Sequence, residues 1–535
     1  MIADPLRDGI AAGWKVIDAA TLDRDLVLEA DVVIAGSGAG GGVTAEVLAQ
    51  AGLSVVIVEE GPLRSSSDFR MREREAYPQL YQESAGRQTA DKAITILQGR
   101  SVGGSTTVNW TSSFRTPPTT LAHWRNAFGL ALAGEPDLAP WFERMEERLS
   151  IAPWPVAPNE NNDILRRGCE KLGFPAAAIR RNVKGCWNLG YCGMGCPTNA
   201  KQSMLVTTIP GALAKGATLL HRARVERLVA SGDRIVSAQA RGVAASGAQP
   251  GPHRIRLAAR HFVLSAGAIG SPAVLLRSEL PDPHELVGRR TFLHPTVVSA
   301  AVMPWEVKGF EGAPQSIYSD HFLDSVPVDG PVGYKLEAPP LHPILAGITL
   351  PGYGTRHAAW MKEFANLQVV IALLRDGFHP GSPGGRVILR ADGTPALDYP
   401  LGDFLQEGMR RAYLAMAEIQ FAAGAKTVMP LHEDGGPAAS WAEAKSAIAA
   451  LPMAALHPRI VSAHVMGGCA MGPDARRAVV DERGRHHHLA NVSVHDGSLF
   501  PTSVGANPQL SIYAFAARMA AGLARELAPA PGRAG

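Results

Sequence analysis

The chain has 535 residues, 46% of them hydrophobic, which exceeds what one simple core holds, so we expect two closely packed domains. Its 52 Lys and Arg against 49 Asp and Glu give a formal charge of +3 without a basic block, which argues against nucleic acid as a partner. Acidic residues stand where a signal peptide is basic, and every long apolar run is broken by charges or clustered glycines. We therefore expect a cytoplasmic protein without a transmembrane segment, with peripheral membrane association left open.

The first predicted elements are a strand, a helix and a second strand. Residues 32–35 form a short β-branched apolar run, typical of a buried parallel strand, and Gly36-x-Gly38-x-x-Gly41 follows directly. Gly36 permits a tight turn, Gly38 lets backbone approach a pyrophosphate, and Gly41 allows close helix packing. The second strand ends at Glu59, which is placed to bind a ribose hydroxyl. This order favours dinucleotide binding over a glycine-rich turn without a ligand.

A second glycine-rich stretch, GRSVGGSTTVN, covers residues 99–109. Its glycines let main chain approach a planar or phosphorylated ligand, and its hydroxyls and Asn109 offer hydrogen bonds. The alternative is an ordinary polar loop. Further on, residues 263–272 predict a strand and a small-residue turn, and AVLLRS then predicts a helix.

Three of the five cysteines, Cys186, Cys192 and Cys196, crowd one glycine-rich loop. An odd set with this spacing is not a secreted disulfide framework. A terminal Cys-Pro pair also occurs in iron–sulfur ligation, so a cluster is an alternative to the favoured free thiols or single disulfide. Cys469 is more simply a packing residue than a nucleophile.

Near the carboxyl end, SAHVMGGCAMG places His464 before a run of small and apolar residues. A lone histidine is more often a hydrogen-bonded structural residue than a catalyst, so its role depends on what surrounds it. In GANPQL, Asn507 predicts a helix cap, with Pro508 at the first helical position and a buried apolar helix after it.

Together, these stretches resemble the signature regions of the glucose-methanol-choline (GMC) family of FAD-dependent oxidoreductases. GRSVGGSTTVN and SAGAIGSPAVLLRS resemble its two signatures, HVMGGCAMG its carboxyl-terminal signature, and VHDGSLFPTSVGANPQLSIYAFAARMA its final flavin segment. The matches run in the family's order from about residue 30 to 525. DGSLFPTSVGANPQLSI and CWNLGYCGMGCPTNAKQS are most similar to the branch of long-chain-alcohol oxidases or dehydrogenases and cholesterol oxidases.

The resemblance implies FAD as the cofactor and no metal ion. The implied FAD contacts are Gly36, Gly38, Gly41 and Glu59 for the ADP part, Val225 for adenine, Gly99, Arg100, Gly104 and Asn109 for the flavin side, Asp496 and Gly497 for the ribityl and pyrophosphate, and Ala266 and Pro508 beside them. Some family members attach FAD through a histidine immediately before the Asn of this motif. Val108 stands at that position, so noncovalent FAD is expected.

Oxidation of an alcohol requires removal of the hydroxyl proton, for which a histidine with a pKa near neutrality is well suited. The histidine that opens the family's carboxyl-terminal signature is the active-site residue, which gives His464 the role of catalytic base. Val465 and Gly468 depart from the family pattern, and a core histidine that orients a neighbour is the alternative. Asn507 occupies the position of the catalytic partner and is expected to contact substrate or flavin.

Two other titratable features carry weaker signals. Glu337 is a candidate third member of the site, but we favour a surface or strand-end acid. The triple His486-His487-His488 favours a solvated turn over a metal site.

We predict an α/β fold, α+β overall. Residues 1–120, 180–290 and 455–535 are expected to form a discontinuous Rossmann-like FAD-binding domain. Residues 121–179 and 291–454 are expected to form a substrate-binding domain on an antiparallel sheet. The terminal PAPGRAG is expected to be a loose tail.

The expected activity is oxidation of a bulky or long-chain alcohol to an aldehyde or ketone, with hydride transfer to flavin N5. Oxygen, or a redox acceptor such as a quinone or cytochrome, would take the electrons. One alternative is a sugar or glycoside dehydrogenase that passes electrons to a cytochrome or quinone. Another is a flavin-binding subunit without turnover, against which the presence of both His464 and Asn507 argues.

Overall fold

The computed structural model describes residues 2–528 except 132, 133, 245, 246 and 248. The predicted tail, residues 529–535, lies outside the described residues. Within the described residues, the strands are β1 Lys15–Asp18, β2 Leu26–Ala35, β3 Val55–Glu59, β4 Ile94–Ile96, β5 Ile151–Pro153, β6 Ala177–Ala178, β7 Arg180–Asn182, β8 Thr218–His221, β9 Ala223–Ser231, β10 Arg234–Val243, β11 Pro250–Leu264, β12 Arg289–Phe292, β13 Thr296–Val302, β14 Ile317–Ser319, β15 Tyr334–Glu337, β16 Leu367–Leu374, β17 Gly385–Leu389, β18 Pro395–Asp398, β19 Thr427–Pro430, β20 Ile460–Ser462, β21 Met466–Gly467 and β22 Val492–Val494.

The α-helices are α1 Pro5–Ala11, α2 Ala39–Gln50, α3 Glu73–Leu80, α4 Ser105–Val108, α5 Pro118–Phe128, α6 Glu135–Arg148, α7 Glu160–Lys171, α8 Thr208–Ala214, α9 Gly267–Arg277, α10 His321–Asp324, α11 Pro343–Thr349, α12 Gly354–Lys362, α13 Asp403–Ala422, α14 Trp441–Ala450 and α15 Gln509–Leu527. Short 3-10 turns cover Ala19–Thr21, Gln82–Ala85, Cys192–Met194, Phe364–Asn366 and Gly497–Leu499. Across the described part of the chain, no helix is both long enough and apolar enough to cross a bilayer.

The first large sheet has the strand order β1-β8-β3-β2-β11-β10-β9, and β22 also pairs with β11. Neighbouring strands pair in parallel along β1-β8-β3-β2-β11, and β22 pairs in parallel with β11. The remaining pairs, β11 with β10 and β10 with β9, are antiparallel. The last four residues of β2 are buried, which explains its unbroken apolar run. Helices α2 and α15 pack together beside this sheet in one core. The prediction of a Rossmann-like part is confirmed.

The second large sheet has the order β4-β20-β13-β16-β15-β14-β6, with β19 also paired to β13. Its pairs are antiparallel except for β4 with β20. Every residue of β16, LQVVIALL, is buried, because alternate side chains enter two different cores. One core contains α13, and the other contains residues of α11 and α12. The predicted antiparallel sheet is present.

The sheets do not follow the predicted domain limits along the whole chain. Residues 94–96 and 460–462, both assigned in advance to the FAD-binding domain, pair as β4 and β20 in the second sheet. Residues 466–467 pair as β21 with β12 in a small third sheet. His464 therefore lies between two strands that both belong to sheets outside the dinucleotide fold. The domain limits themselves stay a prediction.

Candidate active site

After the carboxyl end of β2, the chain makes a sharp turn at Gly36 and then enters α2. Gly36 has a φ of 104°, and a Cβ there would lie 2.2 Å from the carbonyl oxygen of Ser265, so a side chain would be strained and would clash. Gly104 has a φ of 54°, and its Cβ would lie 2.8 Å from the Cα of Gly38. The two glycine-rich stretches thus meet backbone to backbone at the N-terminus of α2, where the first N–H groups of a helix can bind phosphate.

The third glycine of the motif has a packing role. Gly41 does not line the cavity described below, and a Cβ on it would lie 1.9 Å from the carbonyl oxygen of Gly36. At Gly40 a Cβ would lie only 1.5 Å from the carbonyl oxygen of His495. Both glycines let α2 approach neighbouring backbone, although Gly40 is not one of the three glycines of the Gly-x-Gly-x-x-Gly motif.

Glu59 ends β3 with both carboxylate oxygens hydrogen-bonded to the chain itself. The N–H and hydroxyl of Ser37 donate to Oε2 at 3.0 and 2.6 Å, and the N–H of Gly61 donates to Oε1 at 2.7 Å. Burial raises the pKa of this carboxyl despite these bonds. Glu59 lines the cavity, as a ribose-binding residue should, and it also fixes the turn that follows β2.

The segment 99–109 forms the opposite wall. The side-chain amide of Asn109 donates to Oε1 of Gln509 at 2.7 Å. The buried ammonium of Lys201 donates to the carbonyl oxygens of Thr107 and Asn109, both at 2.7 Å, and burial lowers the pKa of Lys201 to about 8. Val108, between these carbonyls, is buried. A buried cation therefore fixes the backbone of this wall.

Asp496 joins the start of α9 to the segment before α15. Its Oδ2 accepts from the N–H of Gly267 at 2.9 Å and from the hydroxyl of Ser271 at 2.5 Å. Its Oδ1 accepts from the N–H and hydroxyl of Ser498 at 2.8 and 2.5 Å. Burial raises the pKa of this carboxyl. Asp496 thus holds two loops at the cavity wall together.

One cavity of about 980 Å³ joins these parts. Its lining includes every predicted site residue except Gly41, namely Gly36, Gly38, Glu59, Gly99, Arg100, Gly104, Asn109, Val225, Ala266, His464, Asp496, Gly497, Asn507 and Pro508. A second part of the lining, called here the apolar chamber, consists of Val298, Leu341, Leu345, Ala346, Leu350, Val369, Ile371, Leu373, Leu431 and Val461. The cavity therefore has a glycine-rich region suited to a dinucleotide and an aliphatic region suited to an apolar ligand.

His464 lines this cavity and is hydrogen-bonded to a second histidine. Its Nδ1 lies 3.2 Å from Nδ1 of His294, and the N–H of Gly505 donates to Nε2 of His294 at 3.0 Å. Because Nε2 of His294 accepts a hydrogen bond, the proton of this neutral ring is on Nδ1 and is donated to His464. His464 then carries its own proton on Nε2. Burial lowers the pKa of His464 to about 4, so the ring is neutral at physiological pH.

Asn507 and Glu337 form a buried polar pair beside the cavity. The side-chain amide of Asn507 donates to Oε2 of Glu337 at 3.3 Å. The other oxygens, Oδ1 of Asn507 and Oε1 of Glu337, are buried without a hydrogen-bond partner, which points to a missing polar ligand. Burial raises the pKa of Glu337 to about 7.

Two expectations from the sequence are corrected at this pair. Glu337 ends a strand, as expected, but it is fully buried, so the interpretation as a surface acid is wrong. Helix α15 begins at Gln509, and Pro508 is its N-cap without a side-chain cap. Asn507 lies one residue before this N-cap and does not cap the helix, and its side-chain amide donates to Glu337.

Lys335 brings a buried positive charge close to these groups. Its ammonium lies 4.0 Å from the ring centroid of Phe114 and 4.1 Å from that of Tyr318, and it forms an ion pair with Asp320 at 2.5 Å. Lys335 precedes Glu337 by two residues on β15, so both side chains lie on the same face of the sheet. The charge of Lys335 opposes the effect of burial on the pKa of Glu337 and adds to its effect on His464.

Sequence comparison assigns the chain to a family. Two family models described as GMC oxidoreductase match residues 77–296 and 380–516. A GMC-type oxidoreductase of Mycobacterium tuberculosis is 31% identical over 501 residues, which are 93% of this chain and 76% of that protein. The chain belongs to the GMC oxidoreductase family. It is therefore an oxidoreductase acting on CH–OH groups, and its cofactor is FAD.

Other GMC proteins are similar over most of the chain. A long-chain-alcohol oxidase of Arabidopsis thaliana is 30% identical over 522 residues, which are 93% of this chain and 68% of that protein. Pyridoxine 4-oxidase from Mesorbium loti has a TM-score of 0.67 at 19% identity, over 92% of this chain and 98% of that chain. Formate oxidase of Aspergillus oryzae also has a TM-score of 0.67, at 16% identity over 95% and 100% of the two chains. At these identities, the two structures show the fold.

The residues of the cavity fit the cofactor of the GMC family. Cβ atoms at Gly36 or Gly104 would meet backbone, so both turns are kept free of side chains where a pyrophosphate would approach. Glu60 forms an ion pair with Arg224 at 2.9 Å beside Val225, and all three line the region expected to hold adenine. At the other end, His464 and Asn507 line the cavity together with the apolar chamber, and Glu337, which is not part of the lining, is hydrogen-bonded to Asn507.

Three residues that support this GMC site have no motif in the sequence. His294 and Lys335 are described above, and Asp376 holds His294 in place. Oδ2 of Asp376 accepts from the N–H of Leu293 at 2.9 Å, and its Oδ1 accepts from the N–H of His294 at 3.1 Å. The hydroxyl of Tyr399 also donates to Asp376, at 2.6 Å. The one available signal was chemical: each is a titratable residue within an apolar segment, where burial requires a partner.

The histidine triple is only in part the solvated turn that was expected, since His487 and His488 are in a turn and partly exposed. His486 is buried, and burial lowers its pKa to about 4. A different group within the described residues, His432, Asp434 and His457, brings three ligand atoms within 4.8 Å of one another. Asp434 and His457 already pair at 2.7 Å, and none of the three lines the cavity.

The cysteine loop packs behind the wall formed by 99–109. All five cysteines of the chain are free thiols, which is the first of the two favoured expectations, free thiols or a single disulfide. The hydroxyl of Tyr81 donates to the carbonyl oxygen of Gly193 at 2.6 Å, and Lys201 donates to that of Cys192 at 2.7 Å. The loop is thus attached to the same cation that fixes Asn109.

Proposed function

We propose that this enzyme oxidises a long-chain or bulky apolar alcohol to the aldehyde or ketone, with oxygen as electron acceptor. The observation that carries this proposal is the junction in one cavity between the glycine-rich cofactor region and the aliphatic chamber, with His464 and Asn507 in its lining. The name of the similar plant oxidases, which act on long-chain alcohols, supports the same substrate class. The word oxidase in that name supports oxygen as acceptor.

The hydrogen bonds favour a different role for His464 from the one that its sequence motif predicts. A general base works best with a pKa near the operating pH, whereas His464 has a pKa of about 4 and donates through Nε2–H. We assign to it the binding and polarisation of the substrate oxygen. The Nε2–H group would stabilise negative charge on that oxygen as the hydroxyl proton leaves.

Glu337 is the better candidate for the proton acceptor. Its pKa of about 7 suits a base at neutral pH, and its Oε1 has no other partner. Asn507 lies between Glu337 and the cavity and orients the carboxyl through Oε2. The hydroxyl proton of the substrate would pass to Glu337, while the carbinol carbon loses a hydride and becomes the carbonyl carbon. FAD, when bound, accepts that hydride.

Lys335 acts through Glu337 and is a positioning residue. Without a nearby cation, burial alone would raise the pKa of Glu337 further and leave it protonated at neutral pH. The aromatic rings of Phe114 and Tyr318 hold the ammonium while they exclude water from it. The cation therefore keeps the base in a range where it can accept a proton.

The chamber argues against a sugar as substrate. Sugars need several polar partners, because each buried hydroxyl without a hydrogen bond is unfavourable. Aliphatic residues predominate in this part of the lining, to which Thr296, Gln315 and Thr349 add only a few polar groups. The presence of His464 and Asn507 in the cavity lining likewise argues against a subunit without turnover.

The test is anaerobic bleaching of the flavin spectrum by a series of alcohols. We expect reduction by dodecanol or hexadecanol to be more efficient than by ethanol or hexanol, because longer chains bury more apolar surface in the chamber. Glucose and methyl glucoside serve as polar controls. Reduction by the sugars but not by the long alcohols would refute the substrate class, and no reduction by any alcohol would refute the activity. Peroxide formation on readmission of air tests oxygen as acceptor.

A further inference from the structure

The chamber is covered by a surface segment without a single charged residue. This cover segment, residues 338–355, reads APPLHPILAGITLPGYGT and has no Asp, Glu, Lys or Arg in 18 residues. It contains α11 and ends at the start of α12. Surface segments of soluble proteins normally carry charges, so this composition needs an explanation.

Helix α11 is apolar on both of its faces. Its inner side chains, Leu345 and Ala346, line the cavity. Its outer side chains, Ile344 and Ile348, are 41% and 62% exposed, and they lie four residues apart on one face. A helix with apolar side chains all round is normally buried in a protein core or in a lipid phase, yet the outer face of α11 is open.

Tyr353 extends this outer face at the end of the cover segment. It is 91% exposed and stands between Gly352 and Gly354, which have φ values of 87° and 59°. The two glycines form a tight turn that presents the ring away from the protein. Tyrosine side chains are favoured at the interface between water and lipid, where the ring is apolar and the hydroxyl is hydrated.

A basic segment is attached directly to α11. Glu73, the first residue of α3, accepts hydrogen bonds from the N–H groups of Ile344 and Leu345 at 2.7 and 2.9 Å. This carboxylate joins the two helices at their N-termini. Arg70, Arg72 and Arg74 beside it are all exposed, and of the three only Arg72 forms an ion pair within the described part of the chain, with the neighbouring Glu75 at 3.2 Å, so Arg70 and Arg74 keep a net positive charge on this stretch. The exposed Arg356 and Lys362 of α12 add charge on the other side of the cover segment.

We propose that the outer face of the cover segment docks on an anionic lipid membrane, from which the long-chain alcohol enters the apolar chamber. The proposal rests on the proposed function for the nature of the substrate. Ile344, Ile348 and Tyr353 would enter the interfacial region, and the flanking arginines would lie against the headgroups. A second copy of the chain on this face would not supply an apolar substrate, whereas a membrane covers the apolar side chains and supplies the long-chain alcohol.

The test is flotation of the FAD-loaded protein with lipid vesicles. Vesicles of phosphatidylcholine are compared with vesicles that also contain phosphatidylglycerol. We expect the wild type to float with the anionic vesicles and to bind them less as salt is added. Ile348→Glu and Tyr353→Glu should each weaken binding by about tenfold or more, because a charge replaces an inserted apolar side chain. A double variant, Arg70→Gln with Arg74→Gln, should lose the preference for anionic vesicles.

The matched control is Val27→Glu. Val27 is 58% exposed, nearly as much as Ile348, but it lies on β2 of the first large sheet, whereas the cover segment packs against the second. Its substitution adds the same charge to an exposed apolar position, and it should leave flotation unchanged. Equal loss in Val27→Glu and Ile348→Glu, no flotation of the wild type, or a stable dimer that Ile348→Glu dissociates would each overturn the proposal.

Flavin bleaching by hexanol separates this proposal from the proposed function. Hexanol dissolves in water, so Ile348→Glu and Tyr353→Glu should be reduced by it as fast as the wild type. If flotation depended on Ile348 but no alcohol reduced the flavin, the docking surface would be supported and the proposed function refuted. If soluble and long-chain alcohols both reduced the flavin but the protein did not float with vesicles, the proposed function would be supported and the docking surface refuted.

Discussion

His294 donates its Nδ1 proton to Nδ1 of His464 across 3.2 Å, which leaves the proton of His464 on the nitrogen that faces away from this bond. The N–H of Gly505 fixes this arrangement by donating to Nε2 of His294. The pair converts a histidine that its motif marks as a base into a hydrogen-bond donor.

Substitution of His464 tests the donor role. His464→Ala should keep FAD bound and slow anaerobic flavin reduction by about 10²- to 10³-fold, the usual effect of removing one donor to a developing negative charge. His464→Gln should lose less, because its amide can still donate to the substrate oxygen. If the glutamine variant were as slow as the alanine variant, the base role would be favoured again. A near wild-type rate in both would leave His464 as a packing residue.

Substitution of Glu337 tests the proton acceptor. Glu337→Gln should slow flavin reduction by about 10²- to 10⁴-fold, the usual contribution of a general base. In the wild type, the rate of reduction should rise with pH through the pKa of about 7, because the carboxyl must be ionised to accept a proton. His464 has a pKa of about 4, so it is neutral throughout and adds no second limb above pH 5. A flat profile in the wild type, with an active glutamine variant, would contradict this assignment.

Lys335 should set the midpoint of that pH profile. Lys335→Met removes the cation that opposes the effect of burial, so the pKa of Glu337 should rise and the profile should move to higher pH. The rate at pH 7 should fall several-fold and recover at higher pH. Lys335→Arg keeps the charge above Phe114 and Tyr318 and is the matched control. A rate that falls equally at every pH in the methionine variant would indicate a structural role only.

The sequence was most informative where function depends on a short contiguous segment. The glycines at 36, 38 and 104 could be predicted, because a turn that contacts a phosphate through its backbone leaves a local pattern. His464 and Asn507 could be predicted for the same reason, since each lies in a short contiguous segment that resembles a signature of the family. Their side chains do line one cavity.

The partners of those residues could not be predicted, because they come from distant strands. Glu337 and Lys335 lie on β15, and His294 precedes β13, more than a hundred residues before His464. The side chain of Asn507 is another example of a tertiary contact that the local sequence does not predict. A local rule makes Asn507 the N-cap of α15, whereas the N-cap in the structure is Pro508, and the amide of Asn507 donates to a carboxylate 170 positions away.

The attachment of FAD gives a further prediction. Val108 is buried between carbonyl groups held by Lys201 and has no nucleophilic atom with which to bond the flavin. Precipitation of the yellow protein with acid should therefore leave the flavin in the supernatant. The absorbance of pellet and supernatant measures this directly. Flavin that stays with the washed polypeptide would require a covalent bond at another residue.

The cysteine loop gives the last prediction, because protein atoms already contact each of its sulfurs. The Sγ of Cys186 accepts from the N–H of Asn188 at 3.4 Å, and that of Cys196 accepts from the N–H of Lys201 at 3.5 Å. The guanidinium of Arg181 lies 3.8 Å from the Sγ of Cys192. We expect iron analysis of the purified protein to give no stoichiometric metal, and Cys196→Ser to keep its flavin content. Stoichiometric iron with broad visible absorption, lost in Cys196→Ser, would instead establish a cluster directly behind the wall that contains Asn109.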